Sequence, residues 1–259
     1  MRVLVICPIP LEFTSCRTAL SLRDGPPILG CRSSRGSIAN VEIVALQSGP
    51  AKARAASATV AGITDVRPDV VMDTGTCAAL DGELIVNSIV LGLDCLEYDI
   101  SGSGLPSRII AEMRLPSAFR LLARKEAQKL VRAASELGNG LGLQVRSGTQ
   151  ACGEFFIQSV QVRESLHAVS GAVACNWETA GVFIGALRAR VPPLSVRVVS
   201  DLGDEDSLRD FRRNARHSSQ ELYRFLRSGV ESGWLFDFYS QWKALSRSQV
   251  EKMAQMVLP

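Results

Sequence analysis

The chain has 259 residues, a net charge of +3, an apolar fraction of 46% and a charged fraction of 21%. These values are typical of a folded protein and argue against a broad basic surface that binds nucleic acid. No apolar run reaches the length of a membrane span, and the run before Pro8 is too short for a signal peptide. We therefore expect a cytoplasmic protein with no nucleic-acid or membrane partner.

Short β-branched runs alternate with segments of helical period along the chain. The predicted elements are a strand at 2–7, a helix at 11–22, a strand at 41–47, a helix at 51–62, strands at 69–73 and 86–92, helices at 117–137 and 177–189, a strand at 194–200, a helix at 207–228, and a helix or helix pair at 233–257. This alternation predicts an α/β fold, and the segment 94–116 is typical of a surface loop. No linker divides the chain, so we expect one domain, 1–259, with 229–259 as a C-terminal helical extension.

Cysteine and arginine spacing give no sign of a metal or phosphate site. The seven cysteines are scattered and form no CxxC pair, which favours reduced, packed thiols over zinc ligands or disulfides. The arginines between 209 and 227 have the spacing of the solvated face of an amphipathic helix. The sequence therefore implies neither a metal nor an organic cofactor.

Two acidic residues lie in or at the end of apolar segments. Glu178 interrupts the helix-like run 171–187, and Asp201 ends the strand-like segment SVRVVSD at 195–201. A carboxylate in such a place costs several kcal/mol unless hydrogen bonds compensate it. Since ligands of parallel sheets bind beyond the carboxyl ends of the strands, the two acids predict a polar pocket there.

Several common catalytic motifs are absent from the sequence. There is no GxxxxGK[ST], no GxGxxG after the first strand and no GxSxG. Residues 73–75 read DTG, as in aspartic proteases, but that fold needs a second such turn in an all-β chain. These absences argue against a P-loop, a dinucleotide-binding fold, an α/β-hydrolase elbow and an aspartic protease.

The turns that follow the strands carry a family pattern. The segments are VLVICPIPLE (3–12), QSGPAK (47–52), RPDVVMDTGTCAAL (67–80), SGTQACGEFFI (147–157), NWETA (176–180) and VRVVSD (196–201). Together they resemble the purine nucleoside phosphorylase and nucleosidase superfamily, and most closely the 5′-methylthioadenosine/S-adenosylhomocysteine nucleosidases. The resemblance implies a three-layer α/β/α sandwich with a mixed, largely parallel central sheet, and a homodimer or higher homo-oligomer.

The resemblance also implies roles for individual residues in cleaving an N-ribosidic bond. Glu12 matches the carboxylate that activates water, Glu178 the glutamate that holds the ribose hydroxyls, and Asp201 the acid that protonates the purine. The implied substrate-binding residues are Thr76, Phe156, Ile157, Asn176, Trp177, Arg197 and Ser200, of which Arg197 matches an arginine buried near the catalytic carboxylates. Such a reaction passes through an oxocarbenium-like sugar, so a general acid on the leaving base and a base on the opposite face are chemically reasonable.

The sequence favours hydrolysis over phosphorolysis. Phosphorylases of this superfamily bind phosphate with a glycine-rich first turn and arginines, whereas this chain has Pro8-Ile-Pro10 there and Asp73 before the Gly75 turn. A buried acid at that point would repel phosphate. The departures at Asn176 and Trp177, where the nucleosidases usually have an acid and a methionine, leave the 5′ substituent of the substrate open.

Each acid also has a purely structural interpretation. Glu178 could be a helix residue paired with Arg197, Asp201 could cap the helix at 207–228, and Glu12 could be favoured by a helix dipole. At the level of the whole protein, the alternatives are a phosphorolytic enzyme of the same fold and a non-catalytic nucleoside-binding protein.

Overall fold

The computed structural model describes residues 1–99 and 114–255. Its strands are β1 (Arg2–Cys7), β2 (Arg23–Ile28), β3 (Cys31–Ile38), β4 (Val41–Gln47), β5 (Val70–Ala79), β6 (Ile89–Glu97), β7 (Leu115–Pro116), β8 (Val145–Cys152), β9 (Ala172–Asn176) and β10 (Pro193–Asp201). Its helices are α1 (Pro10–Ala19), α2 (Lys52–Val66), α3 (Arg124–Gly140), α4 (Val160–Ser170), α5 (Thr179–Arg188), α6 (Ser207–Glu231), α7 (Trp234–Lys243) and α8 (Arg247–Gln255). Among these helices, none combines the length and apolar composition needed to cross a membrane.

The strands form one mixed sheet, which confirms the predicted fold class. β1 lies between β4 and β5 and is parallel to both, and β5 is also parallel to β10. β2 and β3 extend one edge as an antiparallel hairpin. Because the end of β5 also pairs with β9, the strands β5, β10, β6, β8 and β9 close on themselves. Ala78 on β5 pairs with both Cys175 and Asp201, so the ends of β9 and β10 meet beside it.

The helices cover both faces of the sheet, and the alternation of side chains on β1 shows how. Val3, Val5 and Cys7 point into the core beneath α1 and α6, whereas Leu4 and Ile6 point into the core beneath α2 and α5. Successive residues of a strand face opposite sides, so a strand buried on both faces has a continuous apolar sequence. That is why the first strand was recognisable from its composition.

Close contact between α2 and α5 depends on a glycine. A Cβ at Gly181 would lie 2.2 Å from the carbonyl oxygen of Lys52, which is shorter than any tolerable contact. Glycine therefore allows the start of α5 to lie directly against the start of α2. This contact holds together the two segments that form one side of the site described below.

The C-terminal helices pack on the core that α6 helps to form. Trp234 and Phe238 of α7 are buried, and the Trp234 ring nitrogen donates to the carbonyl of Leu130 on α3 at 2.9 Å. The predicted helix pair in the tail is confirmed by α7 and α8. The first part of the helix predicted at 117–137 is wrong, because a 3-10 turn at Ala118–Arg120 precedes α3.

Two other predictions differ from the structure, and several elements were not predicted. The segment 94–116 is not a single loop, since its first residues complete β6 and Leu115–Pro116 form β7; its middle, 100–113, lies outside the described residues. The helix-like run 171–187 is divided between β9 and α5. The hairpin of β2 and β3, the strand β8 and the helix α4 were not predicted.

Candidate active site

A cavity of about 530 Å³ opens where β5, β9 and β10 end. Every predicted site residue except Arg197 lines it. Pro50 and Leu208 also line it, together with residues that the sequence did not identify: Pro8, Ile9, Cys77, Ala78, Phe155, Gln158, Cys175 and Phe211. Phe211 could have been found from its spacing, because it follows Leu208 by one helical turn on α6.

Glu12 reaches the cavity from the first turn of α1. Its Oε2 accepts from the backbone N–H of Ile9, the residue before α1, at 3.1 Å. Its Oε1 accepts from the backbone N–H and the hydroxyl of Thr76 at 2.8 and 2.9 Å. The Glu12 carboxylate therefore joins α1 to β5 and also lines the cavity.

Gly75 makes room for the Glu12 carboxylate. Its φ is +135°, and a Cβ there would lie 2.9 Å from Oε1 of Glu12. Glycine is the residue that accepts such a backbone without strain, and it also permits this approach. The sequence predicted that Gly75 lies in a turn after the strand 69–73, but it lies within β5, where it lets the Glu12 carboxylate approach the strand backbone.

Burial raises the pKa of Glu12 to about 7. The hydrogen bond from Thr76 and the charge of Arg197 act in the opposite direction, and the neighbouring Glu178 adds to the increase. The carboxyl group is therefore present in both protonation states near neutral pH, which suits a general base.

Glu178 is held between a backbone N–H and a guanidinium group. Oε1 accepts from the N–H of Ala51 at 3.1 Å, and Oε2 accepts from Nη1 of Arg197 at 3.1 Å. Burial raises the pKa of Glu178, while Arg197 and the Ala51 N–H lower it. The structural interpretation of Glu178 is thus correct in its pairing, yet the residue also lines the cavity.

Arg197 does not reach the cavity. Its side chain is 1% exposed and lies beneath Glu178, with its Nε and Nη2 directed at Asp73. The prediction that Arg197 binds substrate directly is therefore corrected, because its position on β10 points it into the interior of the sheet. Its contact with Glu178 makes it a positioning residue.

Ala51 has an unusual backbone conformation at this point. Its φ of 82° and ψ of 156° are reached readily by glycine but not by a residue with a Cβ. In this conformation its N–H is directed at Glu178. Backbone strain of this kind persists where surrounding contacts enforce it. Here the strained residue donates the hydrogen bond that fixes the Glu178 carboxylate.

Asn176 forms the junction between β9 and α5. Its Oδ1 accepts from the N–H groups of Glu178 and Thr179 at 3.0 and 2.9 Å, and its Nδ2 donates to Gln150 at 2.9 Å. An asparagine that bonds backbone groups two and three residues ahead turns the chain and caps the helix. This places Glu178 at the N-terminus of α5, facing the cavity.

Aromatic side chains line another part of the cavity. Phe156 lies in the loop between β8 and α4, and its ring meets the edge of Trp177 with centroids 6.2 Å apart. Ile157, next to it, is buried and also lines the cavity. The loop offers flat apolar surface of the kind on which a planar base packs.

Asp201 lies at the end of β10. Its Oδ2 accepts from the Ser200 hydroxyl at 2.9 Å, and its Oδ1 accepts from the N–H of Gly203 at 3.4 Å. Burial raises its pKa to about 6, although these hydrogen bonds lower it. The alternative in which Asp201 caps the following helix is wrong, because α6 begins at Ser207 and its cap position is Asp206.

The cavity wall has an uneven distribution of charge. Glu12, Glu178 and Asp201 contribute three carboxylates, while none of the lining residues in the described part of the chain is Lys, Arg or His. Burial raises the pKa of all three acids, to about 7 for Glu12 and about 6 for Asp201. Such a wall can take up and release protons, and it repels an anion.

Comparisons with a protein family and with individual known proteins give matches over most of the chain. A family model described as the phosphorylase superfamily matches residues 2–231. The chain is 26% identical over 233 residues to the 5′-methylthioadenosine/S-adenosylhomocysteine nucleosidase of Bacillus subtilis (strain 168), covering 88% of this chain and 99% of that protein. It is 27% identical over 239 residues to the protein of the same name from Bacillus licheniformis, with 88% and 99% covered.

Solved structures share the fold. The 5′-methylthioadenosine/S-adenosylhomocysteine nucleosidase of Helicobacter pylori in complex with butyl-thio-DADMe-Immucillin-A has a TM-score of 0.77 at 21% identity, covering 90% of this chain and 98% of that one. Native futalosine hydrolase of Helicobacter pylori strain 26695 has a TM-score of 0.75 at 21% identity, with the same coverage.

Proposed function

The chain belongs to the phosphorylase superfamily, and on that premise we propose that it hydrolyses the N-ribosidic bond of a purine nucleoside and releases the free base. The substrate is a 5′-modified adenine nucleoside of the methylthioadenosine or adenosylhomocysteine type. The observation that carries the proposal is the cavity wall with three carboxylates and, among its described residues, no cationic side chain.

In the proposed reaction each of the three acids has a different role. Ionised Glu12 takes a proton from the attacking water, and protonated Asp201 donates a proton to the leaving purine. Glu178 accepts hydrogen bonds from the ribose hydroxyls and stabilises the positive charge that develops on the sugar. Two acids with raised pKa values, separated in the same cavity, support this assignment.

The remaining lining residues have binding roles in this proposal. Phe156 and Ile157 hold the base, and Trp177 packs beside the sugar. Thr76 and Ser200 orient the Glu12 and Asp201 carboxylates through their hydroxyl groups, and Asn176 fixes the position of Glu178. Their support is the set of hydrogen bonds described above.

Water is favoured over phosphate as the attacking group. Phosphate would have to enter beside Glu12 and Glu178, and a buried anion next to two carboxylates without a cation is costly. Named relatives are nucleosidases, which also supports hydrolysis. A phosphorolytic enzyme of this fold stays as the alternative that the next experiment separates.

The test incubates the purified protein with methylthioadenosine, adenosylhomocysteine, adenosine and inosine, each with and without phosphate, and follows free base. We expect base release from a 5′-modified adenosine at a rate that phosphate does not increase. Release that requires phosphate would identify a phosphorylase. Tight nucleoside binding without release would identify a binding protein.

We also propose that the protein is a homodimer or higher homo-oligomer. Phe155, Val162 and Val169 are 64%, 45% and 89% exposed and form an apolar surface beside the cavity, with Leu166 between them. Exposed apolar patches of this kind mark protein contacts. Sedimentation of the protein and of Val169→Glu tests the proposal, and a wild-type protein that sediments as a monomer contradicts it.

The remaining proposals concern location and domain organisation. The seven cysteines are free thiols, which supports the reducing environment of the cytoplasm. Residues 1–259 form one domain with 229–259 as a C-terminal helical extension, a division supported by the burial of Trp234 and Phe238 in the common core. Location in cells is tested by fractionation, and the extension by truncation after Glu231.

A further inference from the structure

A buried ion pair lies directly beneath the cavity. Asp73 on β5 faces Arg197 on β10, with Nε to Oδ2 at 3.0 Å and Nη2 to Oδ1 at 2.5 Å. The side chains are 0% and 1% exposed. A two-point pair between a guanidinium and a carboxylate fixes the orientation of both groups, and in the interior neither charge can turn to water.

Asp73 is held from several sides but does not line the cavity. Its Oδ2 also accepts from the hydroxyl groups of Thr179 and Ser195 at 2.6 and 2.7 Å. Asp73 therefore cannot contact a phosphate in the cavity directly. It can act on the cavity through Arg197, whose guanidinium it holds, and through its own charge.

The pairing with Asp73 determines which edge of Arg197 is available. With Nε and Nη2 bound to Asp73, Nη1 is the nitrogen that donates toward the cavity, to Oε2 of Glu178 and to the carbonyl of Thr76, both at 3.1 Å. Arg197 is the only arginine buried among the described residues. The guanidinium that contacts Glu178 is therefore engaged by protein acceptors at each of its nitrogens and paired with Asp73.

We propose that Asp73 is a positioning residue that reserves Arg197 for Glu178 and thereby excludes phosphate from the place of the attacking water. The inference rests on the proposed nucleosidase function. Phosphate binds where a guanidinium can offer it two N–H groups. Asp73 occupies that two-donor edge of Arg197, and its charge keeps the surroundings of Glu12 and Glu178 negative.

The test compares Asp73→Asn with Thr179→Val. The first change removes the charge and keeps the shape, whereas the second removes a hydrogen bond to the same carboxylate and leaves every charge in place. We expect inorganic phosphate to inhibit base release by Asp73→Asn at concentrations at least about tenfold lower than for the wild type, from the Coulomb energy of one uncompensated nearby charge. Thr179→Val should keep the wild-type response.

Equal phosphate inhibition in Asp73→Asn and the wild type would overturn the proposal. The proposal would also be overturned if Thr179→Val became as sensitive to phosphate inhibition as Asp73→Asn. The increased sensitivity would then come from altered packing and not from the lost charge. If Asp73 had only a structural role, both variants would be less stable than the wild type, but phosphate would inhibit all three proteins equally.

A second measurement needs no variant at Asp73 and no turnover. The Nε–H resonance of Arg197, assigned by its loss in Arg197→Lys, is followed in the wild type during titration with inorganic phosphate. We expect no shift, and a saturable shift would overturn the proposal even if Asp73→Asn does not fold. If the wild type releases no base, the proposed function fails, while this titration still decides the role of Asp73.

Discussion

Base release should pass through a narrow pH optimum, because the two reacting acids are needed in opposite protonation states. Glu12 has to be ionised and Asp201 protonated, yet the pKa of Glu12, about 7, is higher than that of Asp201, about 6. The reactive combination is therefore a minor species at every pH. It makes up about 6% of the enzyme at pH 6.5 and about 1% at pH 5 or pH 8, if the two groups titrate independently.

The expected kcat/KM is thus about sixfold lower at pH 5 and at pH 8 than at pH 6.5. On the acid side the loss comes from protonation of Glu12, and on the alkaline side from ionisation of Asp201. The assay measures kcat/KM for base release in buffers of constant ionic strength from pH 4 to pH 9. This parameter reports the free enzyme, to which the structural pKa values apply.

Asp201→Asn is the matched variant for the alkaline side. It should lower the rate by about 10²–10⁴-fold and remove the decrease above pH 7, so that the remaining activity rises with pH to a plateau set by Glu12. A wild-type rate at pH 8 that equals or exceeds the rate at pH 6.5 would refute the assignment of Asp201 as the acid. Retention of the alkaline decrease in Asp201→Asn would refute it as well.

Further predictions concern the residues that hold the carboxylates. Glu178→Gln should lower kcat/KM by at least about 100-fold, because the ionised group that faces the sugar is lost; near-wild-type kinetics would show that the ribose lies elsewhere. Ala51→Gly should raise the free energy of unfolding by about 1 kcal/mol, since glycine accepts this backbone without strain, and denaturant titration measures it. Gly75→Ala should lower both stability and base release, because its Cβ would meet Glu12 at 2.9 Å; an unchanged melting temperature contradicts this. In the wild type, the free energy of unfolding should fall by about 3 kcal/mol as pH rises from 4.5 through about 7, because the pKa of Glu12 is higher in the folded than in the unfolded protein. Glu12→Gln should make the free energy of unfolding less dependent on pH in this range.

The central part of the fold could be predicted because both faces of its strands are buried. Residues 3–7 are a continuous apolar run and 194–200 is rich in valine, and the structure has strands at nearly the same positions. The hairpin of β2 and β3 could not be found in this way. It lies at the sheet edge, where Pro26 and Pro27 and several serines leave no apolar alternation to detect.

The boundary between β9 and α5 illustrates a second limit. Ala172–Asn176 and Thr179–Arg188 are both apolar, and a short buried strand cannot be distinguished from a buried helix by periodicity alone. The signal that divides them is Asn176, which bonds the first N–H groups of the helix. An asparagine followed closely by an acidic residue in an apolar run can thus indicate that a helix begins there.

For the site, the sequence resemblance led to the residues but not to their arrangement. Glu12, Thr76 and Asp201 are far apart in sequence and line one cavity, a fact that depends on the closure of the sheet through β5, β9 and β10. The resemblance also implied that Arg197 is buried near the carboxylates, and the structure places it there; its pairing with Asp73 was not predicted.

The three cavity acids differ in their partners more than in the direction of their pKa shifts. Glu178 contacts the guanidinium of Arg197, whereas the partners of Glu12 and Asp201 are backbone N–H groups and hydroxyls. Burial raises the pKa of all three acids, and their partners lower it in part. Glu12 and Asp201 can therefore exchange protons near neutral pH, as an acid–base pair requires. Arg197 opposes the effect of burial on the pKa of Glu178, and so it favours the ionised form that a ribose anchor needs.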